Sequence, residues 1–141
     1  EKSRFRVDRV TDGLEHPWAV AFLPQGGYLI TERPGRLRFV DADGRLAPQP
    51  IAGLPQVTEF GQGGLLDVAL HPRFADNRWV YISYAERGRD GVGTACDTNP
   101  IVVVSTVGGD NPDFSSIQPH PLIDAEEKEW ASVPFGVSAF A

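Results

Sequence analysis

The sequence predicts an all-β fold built from repeated strand units, of the kind that stack as the blades of a β-propeller. Residues 18–24 resemble residues 66–72, which lie 48 positions further on, and a proline ends each stretch. The strand after the next turn recurs as well, because residues 29–31 resemble residues 81–83 at an offset of 52. The 15 glycines and 12 prolines among 141 residues also favour short strands joined by turns over helices.

The spacing of this repeat indicates stacked blades. A strand–turn–strand unit that recurs about every 50 residues is typical of a propeller, in which neighbouring units cover the faces that one unit leaves open. The four additional residues of the second copy fall in its turn, residues 73–79, where insertions are tolerated best. The alternative is a β-sandwich with two unrelated hairpins, and the shared proline favours blades. Because a closed propeller needs a longer chain, we expect a fragment or a truncated product.

Alternating apolar residues and turn residues locate the individual strands. Residues 3–10 alternate apolar and charged side chains, which predicts a half-buried strand. Glycine-containing turns then separate the later elements. We expect strands at residues 18–23, 28–31, 37–40, 65–70, 80–85 and 101–104, a short outer strand at 50–52, and one or two helical turns at 125–131.

The net charge of −6 belongs to the last third of the chain. Residues 1–95 carry 12 basic and 12 acidic side chains, whereas residues 96–141 carry Lys128 against seven acidic residues. Such a balance lacks the basic stripe that binds phosphate backbones, so we expect no nucleic-acid partner. No apolar run is long enough to span a membrane. We expect the alternating Arg33, Arg36 and Arg38 to form a solvated sheet face.

The ends and the cysteine content are consistent with a processed protein. Cys96 is the single cysteine, so the chain forms no internal disulfide. The sequence contains no methionine, begins at Glu1 and shows no signal peptide. We interpret this as a processed or excised N-terminus, which is compatible with export.

A glutamine among glycines is the best candidate for ligand contact. Gln62 lies between Gly61 and the pair Gly63-Gly64, directly before an apolar strand. Its amide offers both a donor and an acceptor to a polar heterocycle, and the glycines allow close approach of a ligand or a neighbouring element. The alternative is a polar turn residue whose glycines serve backbone geometry alone.

Several motifs in order give the chain a family resemblance over residues 3 to about 95. They are Leu14-x-His16-Pro17-Trp18 with the strand to Pro24, Leu29-Ile30-Thr31-Glu32-Arg33-Pro34-Gly35-Arg36-Leu37, and Gly61-Gln62-Gly63-Gly64-Leu65-Leu66-Asp67 with the strand to Pro72. This pattern resembles the N-terminal third of the soluble PQQ-dependent aldose sugar dehydrogenases, the glucose/sorbosone dehydrogenase family. We therefore expect the first two blades in residues 1–95 and an unassigned acidic segment outside the pattern in residues 96–141.

The resemblance implies a six-bladed propeller that binds pyrroloquinoline quinone (PQQ) over its central channel. Such a protein oxidises the anomeric carbon of an aldose to a lactone, while a histidine takes the hydroxyl proton and hydride passes to the quinone. Calcium acts as a Lewis acid on the quinone carbonyl, and an external electron acceptor completes the cycle. The resemblance also implies a periplasmic or secreted location.

Few site residues of the family have counterparts in this chain. Gln62 matches the cofactor-contacting glutamine, whereas the catalytic histidine belongs to an Asn-His-x-Gly-Gly-Arg-like segment that is absent here. His16, His71 and His120 lie in other contexts, so we assign no catalytic residue and no metal ligand. We expect this chain alone to show no turnover.

Other polar and aromatic residues have structural explanations. We expect Asp67 to bond a loop amide or face a channel rather than bind calcium, which needs six to eight oxygens. The His71 ring should be fixed by its turn, and Glu32-Arg33 should form a surface ion pair rather than line a channel. Trp18 and Trp79 should pack between blades.

Two other functional classes remain open. One is a non-catalytic propeller that serves as a binding or scaffold module. The other is a product whose last third is foreign to the family and which is no stable catalyst. In each case a free pair of blades leaves faces and strand edges uncovered, so we expect marginal stability or self-association.

Overall fold

Two antiparallel sheets make up the part of the protein that the computed structural model describes, residues 3–87, 98–107 and 114–119. The elements are β1 (Pro17–Phe22), β2 (Tyr28–Glu32), β3 (Arg36–Val40), β4 (Leu65–Leu70), α1 (Phe74–Asn77), β5 (Trp79–Arg87), β6 (Thr98–Val107) and β7 (Ile117–Pro119). The first blade has the strand order β1-β2-β3 and the second the order β4-β5-β6-β7. The mostly-strand architecture confirms the all-β prediction.

The register of the strands confirms the internal repeat. In the first blade Val20 pairs with Ile30, and in the second Val68 pairs with Ile82. These positions are related by the offsets of 48 and 52 found in the sequence. The two hairpins are therefore equivalent in pairing as well as in composition.

Each hairpin also contains a β-bulge at the same place. The register shifts between Pro17 and Ala19 in β1, and between Leu65 and Val68 in β4. In both cases the first strand has one residue more than its partner, which bends the strand and leaves an N–H group outside the regular ladder. The bulges lie where each first strand begins, next to the candidate site.

The four inserted residues of the second turn form a helical turn. α1 has four residues, and its C-terminal flanking residue Arg78 is in the left-handed conformation with φ of 56°. Phe74 is buried, so the insertion contributes to the core. This short helix was not predicted, because four residues are too few to show a helical period.

One hydrophobic core joins the two blades. β4 packs against β1 and β2. Leu29 and Leu37 of the first blade and Leu65, Val80 and Ile82 of the second have no exposed surface. All five belong to the same cluster of buried residues, so the blades are held together by apolar contact.

The predicted strands at 18–23, 28–31, 37–40, 65–70, 80–85 and 101–104 are confirmed as β1 to β6. β6 lies beyond residue 95 and pairs with β5 from Thr98 to Thr106. The division of the chain between residues 95 and 96 stays a prediction. The predicted outer strand at 50–52 forms only an isolated bridge from Ala52 to Ser116, with the Ile51 amide donating to the Leu37 carbonyl.

The predicted strand at residues 3–10 is wrong. This segment has no strand structure, and Phe5 and Val7 are 86% and 84% exposed. Alternation predicts a strand only where a neighbouring backbone and an apolar surface are available to pair with it. The predicted helical turns at 125–131, His120 and Cys96 lie outside the described residues.

Candidate functional site

The candidate site lies at the end of the blades where β1 and β4 begin and β2 ends. The amide of Arg33, directly after β2, donates to the carbonyl of His16, directly before β1, at 3.0 Å. The carbonyl of Arg33 accepts from the amide of Leu65, the first residue of β4, at 2.9 Å. Arg33 therefore connects the starts of both first strands.

Gln62 occupies the tip of a tight turn at this end. Its neighbours Phe60 and Gly63 form a bridge, and the Gly63 amide donates to the Phe60 carbonyl at 2.8 Å. Gly61 has a φ of 56°, which is the left-handed region that glycine adopts at little cost. Gln62 is exposed, so its amide is accessible to a ligand.

Gly64 brings the turn into direct contact with Arg33. A Cβ at position 64 would meet the Arg33 carbonyl oxygen at 2.3 Å, and the φ of 155° is itself unfavourable for other residues. The Gly64 carbonyl also accepts from the Ala85 amide at 2.8 Å. Gly64, the second glycine after Gln62, thus allows close approach to a neighbouring element. The sequence predicts that these glycines allow close approach of either a ligand or a neighbouring element.

The Arg33 side chain reaches back to the same turn. Its Nη1 donates to the Gly61 carbonyl at 2.7 Å, and its Nη2 donates to Glu59 Oε1 at 2.9 Å. The Arg33 side chain is 26% exposed and the Glu59 side chain 38%. The turn that carries Gln62 is therefore held by both the backbone and the side chain of one residue.

A buried carboxylate lies beside this node. The Glu32 side chain has no exposed surface. It accepts a hydrogen bond from the Glu15 amide at 2.7 Å and is paired with Arg36 Nε at 2.6 Å and with Arg38 Nη1 at 3.5 Å. Arg36 also donates to the Glu15 carboxylate at 2.6 Å. Together these groups form a charge network at the start of β1.

This network determines the protonation of Glu32. Burial by itself would raise the pKa of the carboxyl group. The bond from the Glu15 amide and the positive charges of the two arginines outweigh burial, and the pKa of Glu32 lies below its ordinary value of 4.5. The Glu32 carboxylate is charged at neutral pH. Its hydrogen bond with Arg36 raises the pKa of the Arg36 guanidinium.

The structure corrects two predictions about these charges. The three arginines do not form a solvated face, because Arg36 and Arg38 converge on a buried carboxylate and the Arg38 side chain is only 12% exposed. Glu32 and Arg33 do not pair with each other at the surface, since Arg33 pairs with Glu59. Alternation along a strand shows which residues share a face, but it does not show whether that face meets solvent.

The histidines are distributed over the two ends of the blades. His16 is exposed directly before β1 and has a φ of 45°. His71 follows β4 at the other end, where its Nδ1 accepts from the Arg73 amide at 3.0 Å and contacts Asn77 Nδ2 at 3.0 Å. The prediction that the turn fixes the His71 ring is confirmed. His120 lies outside the described residues.

Asp67 and Trp79 make contacts within the second blade, whereas Trp18 is partly exposed. Asp67 is half-buried, and its Oδ1 accepts from the next amide, that of Val68, at 2.8 Å. Trp79 packs edge-on against the His71 ring at 5.4 Å, and Trp18 is 45% exposed. Packing of Trp18 between blades therefore stays a prediction, and for Trp79 the observed ring contact lies within the hairpin.

Within residues 3–87, 98–107 and 114–119, no group of three His, Cys, Asp or Glu side chains could hold a metal ion. Calcium prefers six to eight oxygen ligands, so the described side chains do not form a calcium site. The exposed amide of Gln62 does fit one polar edge of a quinone, because it presents a donor and an acceptor side by side.

Across the described part of the chain, no helix is both long and apolar enough to cross a membrane.

The paired sheets and shared core define the protein as part of a β-propeller, and comparison with known proteins identifies its family. The sequence profile "Glucose / Sorbosone dehydrogenase" matches residues 14–108. The chain belongs to the glucose/sorbosone dehydrogenase family.

Two relatives have names that describe different functions. Aldose sugar dehydrogenase YliI of Escherichia coli is 52% identical over 91 residues, which are 63% of this chain and 24% of that protein. Hedgehog-interacting protein of Mus musculus is 27% identical over 85 residues, which are 55% of this chain and 12% of that protein. The chain thus spans about a quarter or less of these relatives.

Solved structures agree on the fold. A glucose dehydrogenase superposes with a TM-score of 0.68 and 46% identity, covering 79% of this chain and 32% of the other. The PQQ-bound form of aldose sugar dehydrogenase from Streptomyces coelicolor superposes with a TM-score of 0.63 and 28% identity, covering 81% and 31%. The described blades are therefore similar to about one third of a dehydrogenase propeller.

Proposed function

We propose that this chain is the N-terminal portion of a PQQ-dependent aldose sugar dehydrogenase and that Gln62 contacts the cofactor. The observation that carries the proposal is an exposed amide on an anchored turn, at the end of the blades where the first strands begin. The 52% identity to an aldose sugar dehydrogenase and the fold shared with a PQQ-bound relative support it.

The proposed reaction is the oxidation of an aldose at its anomeric carbon to a lactone. Bound PQQ would supply the acceptor for the hydride, and an external electron acceptor would restore the quinone. Within this chain Gln62 would orient the cofactor by hydrogen bonding. The 141 residues contain no Asn-His-x-Gly-Gly-Arg-like segment to supply a base, so we expect no aldose oxidation from this chain alone.

The proposal also covers location and self-association, but it gives calcium no role in this chain. Calcium would need ligands other than the described side chains, so we assign it no role in any step here. We propose a periplasmic or secreted location on the family resemblance. We also propose that this chain self-associates through its uncovered blade faces, because Val20 and Phe22 of β1 are 48% and 70% exposed.

Cofactor binding is tested by titrating the chain with PQQ and following the quinone absorbance. The first blade provides a matched control, because the exposed Gln25 also precedes two glycines, Gly26 and Gly27, in a turn. We expect Gln62→Ala to weaken binding about tenfold, the effect of one hydrogen bond, while Gln25→Ala has no effect. Equal affinities for wild type and both variants would refute the role of Gln62, and no saturable binding would refute the cofactor proposal for this chain.

The similarity to a protein named for an interaction supports a second candidate, a non-catalytic binding module. The 27% identity to Hedgehog-interacting protein extends over 85 residues, which are 55% of this chain. Under this hypothesis the turn would contact a protein and PQQ would not bind. The same titration separates the two candidates, because only the dehydrogenase proposal requires saturable quinone binding.

A further inference from the structure

We propose that Arg33 is a positioning residue that presets the Gln62 turn for its ligand before the ligand binds. The inference rests on the proposed contact of Gln62 with a quinone cofactor. Arg33 does not need to touch the ligand itself, since its contacts go to the turn that presents Gln62.

Four hydrogen bonds connect Arg33, directly after β2, to the starts of β1 and β4 and to the Gln62 turn. Its amide donates to the His16 carbonyl at 3.0 Å, and its own carbonyl accepts from the Leu65 amide at 2.9 Å. Its guanidinium donates to the Gly61 carbonyl at 2.7 Å and to the Glu59 carboxylate at 2.9 Å. The backbone bonds fix Arg33 to the strands, so the side chain can hold the turn against a rigid support.

The chemistry of the guanidinium suits this task. Its planar fork donates from two nitrogens in fixed directions, whereas a lysine ammonium is a flexible point charge. Here one nitrogen bonds a neutral carbonyl just before Gln62, and the other bonds a carboxylate two residues earlier. A charged donor makes each bond stronger than a neutral pair would, and partial burial limits competition from water.

The turn needs such an anchor because its tip has few neighbours. A Cβ built at Gly61 would meet nothing within 4 Å. A loose turn would lose conformational entropy when the ligand binds, and this cost would weaken the affinity. An anchored turn is already ordered in the free chain, so binding does not carry that cost. The direct approach of Gly64 to Arg33 completes the arrangement, since only glycine leaves room for the Arg33 carbonyl.

Amide hydrogen exchange in the ligand-free chain tests the anchor directly. The Gly63 amide is bonded within the turn, whereas the Leu65 amide is bonded to the Arg33 backbone, which a side-chain substitution retains. We expect Arg33→Gln to accelerate exchange at Gly63 roughly tenfold and to leave Leu65 unchanged, with Arg33→Lys in between. Arg6→Gln is the control, because Arg6 is an exposed arginine paired with Asp8. Unchanged exchange at Gly63 would overturn the inference.

The affinity for PQQ supplies the second measurement. We expect Arg33→Gln to raise the dissociation constant about tenfold, because the turn must then become ordered on binding. Arg33→Lys should recover part of the affinity, which a merely structural role would not predict. If Gly63 loosens in Arg33→Gln while the PQQ affinity stays at the wild-type value, the positioning role is refuted. If Gln62→Ala leaves the affinity unchanged, the proposed function fails, and the exchange result still decides whether Arg33 holds the turn.

A milder variant keeps the test valid if Arg33→Gln does not fold. Glu59→Gln removes one charged partner of the guanidinium and retains the bond to the Gly61 carbonyl. We expect exchange at Gly63 to rise by a smaller factor than in Arg33→Gln, roughly twofold to threefold. Faster exchange at Leu65 as well would indicate general loosening of the blades and would overturn the proposed role.

Discussion

Thr31 and Ser83 occupy equivalent positions in the two blades and perform the same task. Thr31 Oγ1 accepts from the Ala19 amide at 3.0 Å, and Ser83 Oγ accepts from the Asp67 amide at 2.9 Å. Each bulge removes one amide from the ladder, and a hydroxyl on the neighbouring strand satisfies it. Thr31 also donates to the Leu66 carbonyl at 2.5 Å, so it links the blades.

Replacing Thr31 tests this role. Thr31→Val retains the shape but leaves the Ala19 amide and the Leu66 carbonyl unsatisfied, and we expect a loss of about 2–3 kcal/mol in the free energy of unfolding. Thr31→Ser keeps the hydroxyl and should lose only about 1 kcal/mol with the buried methyl group. Urea denaturation measures both. A larger loss for serine than for valine would contradict the prediction.

Glu32 should make stability depend on acid pH. The pKa of Glu32 is lower in the folded chain than its ordinary value of 4.5. The contribution of this carboxylate to the free energy of unfolding is therefore complete above pH 4.5 and is lost as the pH falls through the folded-state pKa. We expect Glu32→Gln to cost about 2–3 kcal/mol at pH 7, because Arg38 loses its buried partner. Denaturation midpoints measured from pH 7 to pH 3 should fall less steeply for the variant than for wild type. Glu15→Gln, at an exposed carboxylate, should cost about 0.5 kcal/mol, and an equal cost for both variants would refute the role of burial.

At the scale of elements, the turn before β4 combines two glycines with different requirements. Gly64 abuts the Arg33 carbonyl, whereas Gly61 has a positive φ but open space around it. The cost of a side chain at Gly64 therefore includes a backbone clash, and at Gly61 it is conformational strain alone.

Alanine substitutions separate these two costs. We expect Gly61→Ala to lower the free energy of unfolding by about 1 kcal/mol, the strain of a left-handed alanine. Gly64→Ala should lower the free energy of unfolding by about 3 kcal/mol or more. The added Cβ would lie 2.3 Å from the Arg33 carbonyl oxygen, and this clash is relieved only if β4 moves away from Arg33. Chemical denaturation of both variants is the measurement. Equal losses would show that the turn relaxes around position 64.

For the whole molecule, the repeat shows which faces are covered and which are open. Val68 of the second blade is 3% exposed in the shared core, but the equivalent Val20 of the first blade is 48% exposed. The opposite faces show the reverse, since Ala21 is 7% exposed and the equivalent Ala69 is exposed. The face of the first blade that carries Ala21 thus meets the face of the second blade that carries Val68. Among the described residues, the faces that carry Val20 and Ala69 stay uncovered.

These open faces predict head-to-tail association between copies of the chain, because the contact that joins the blades can be repeated between chains. We expect sedimentation velocity to show concentration-dependent oligomers of the wild-type chain. A variant with Val20→Asp and Phe22→Asp, both on the open face, should be monomeric. Val7→Asp is the control, at an apolar residue that is exposed outside the sheets. Identical sedimentation of wild type and the double variant would refute association through this face.

The sequence by itself determined the blades and the position of Gln62. Apolar periodicity and turn residues are local properties, so they located β1 to β6, and the offsets of 48 and 52 predicted the pairing that the register confirms. The same local information predicted the glycine-flanked turn before β4.

Only the tertiary structure decided how the charges are used and which apolar faces are buried. The alternation in residues 3–10 did not produce a strand, because pairing depends on a neighbouring backbone that local sequence does not specify. Arg33 became the support of the Gln62 turn because folding brings the end of β2 to the start of β4, more than 25 residues later in the chain. Burial and long-range hydrogen bonds depend on contacts between distant segments, so neither could be predicted from the pattern of one strand.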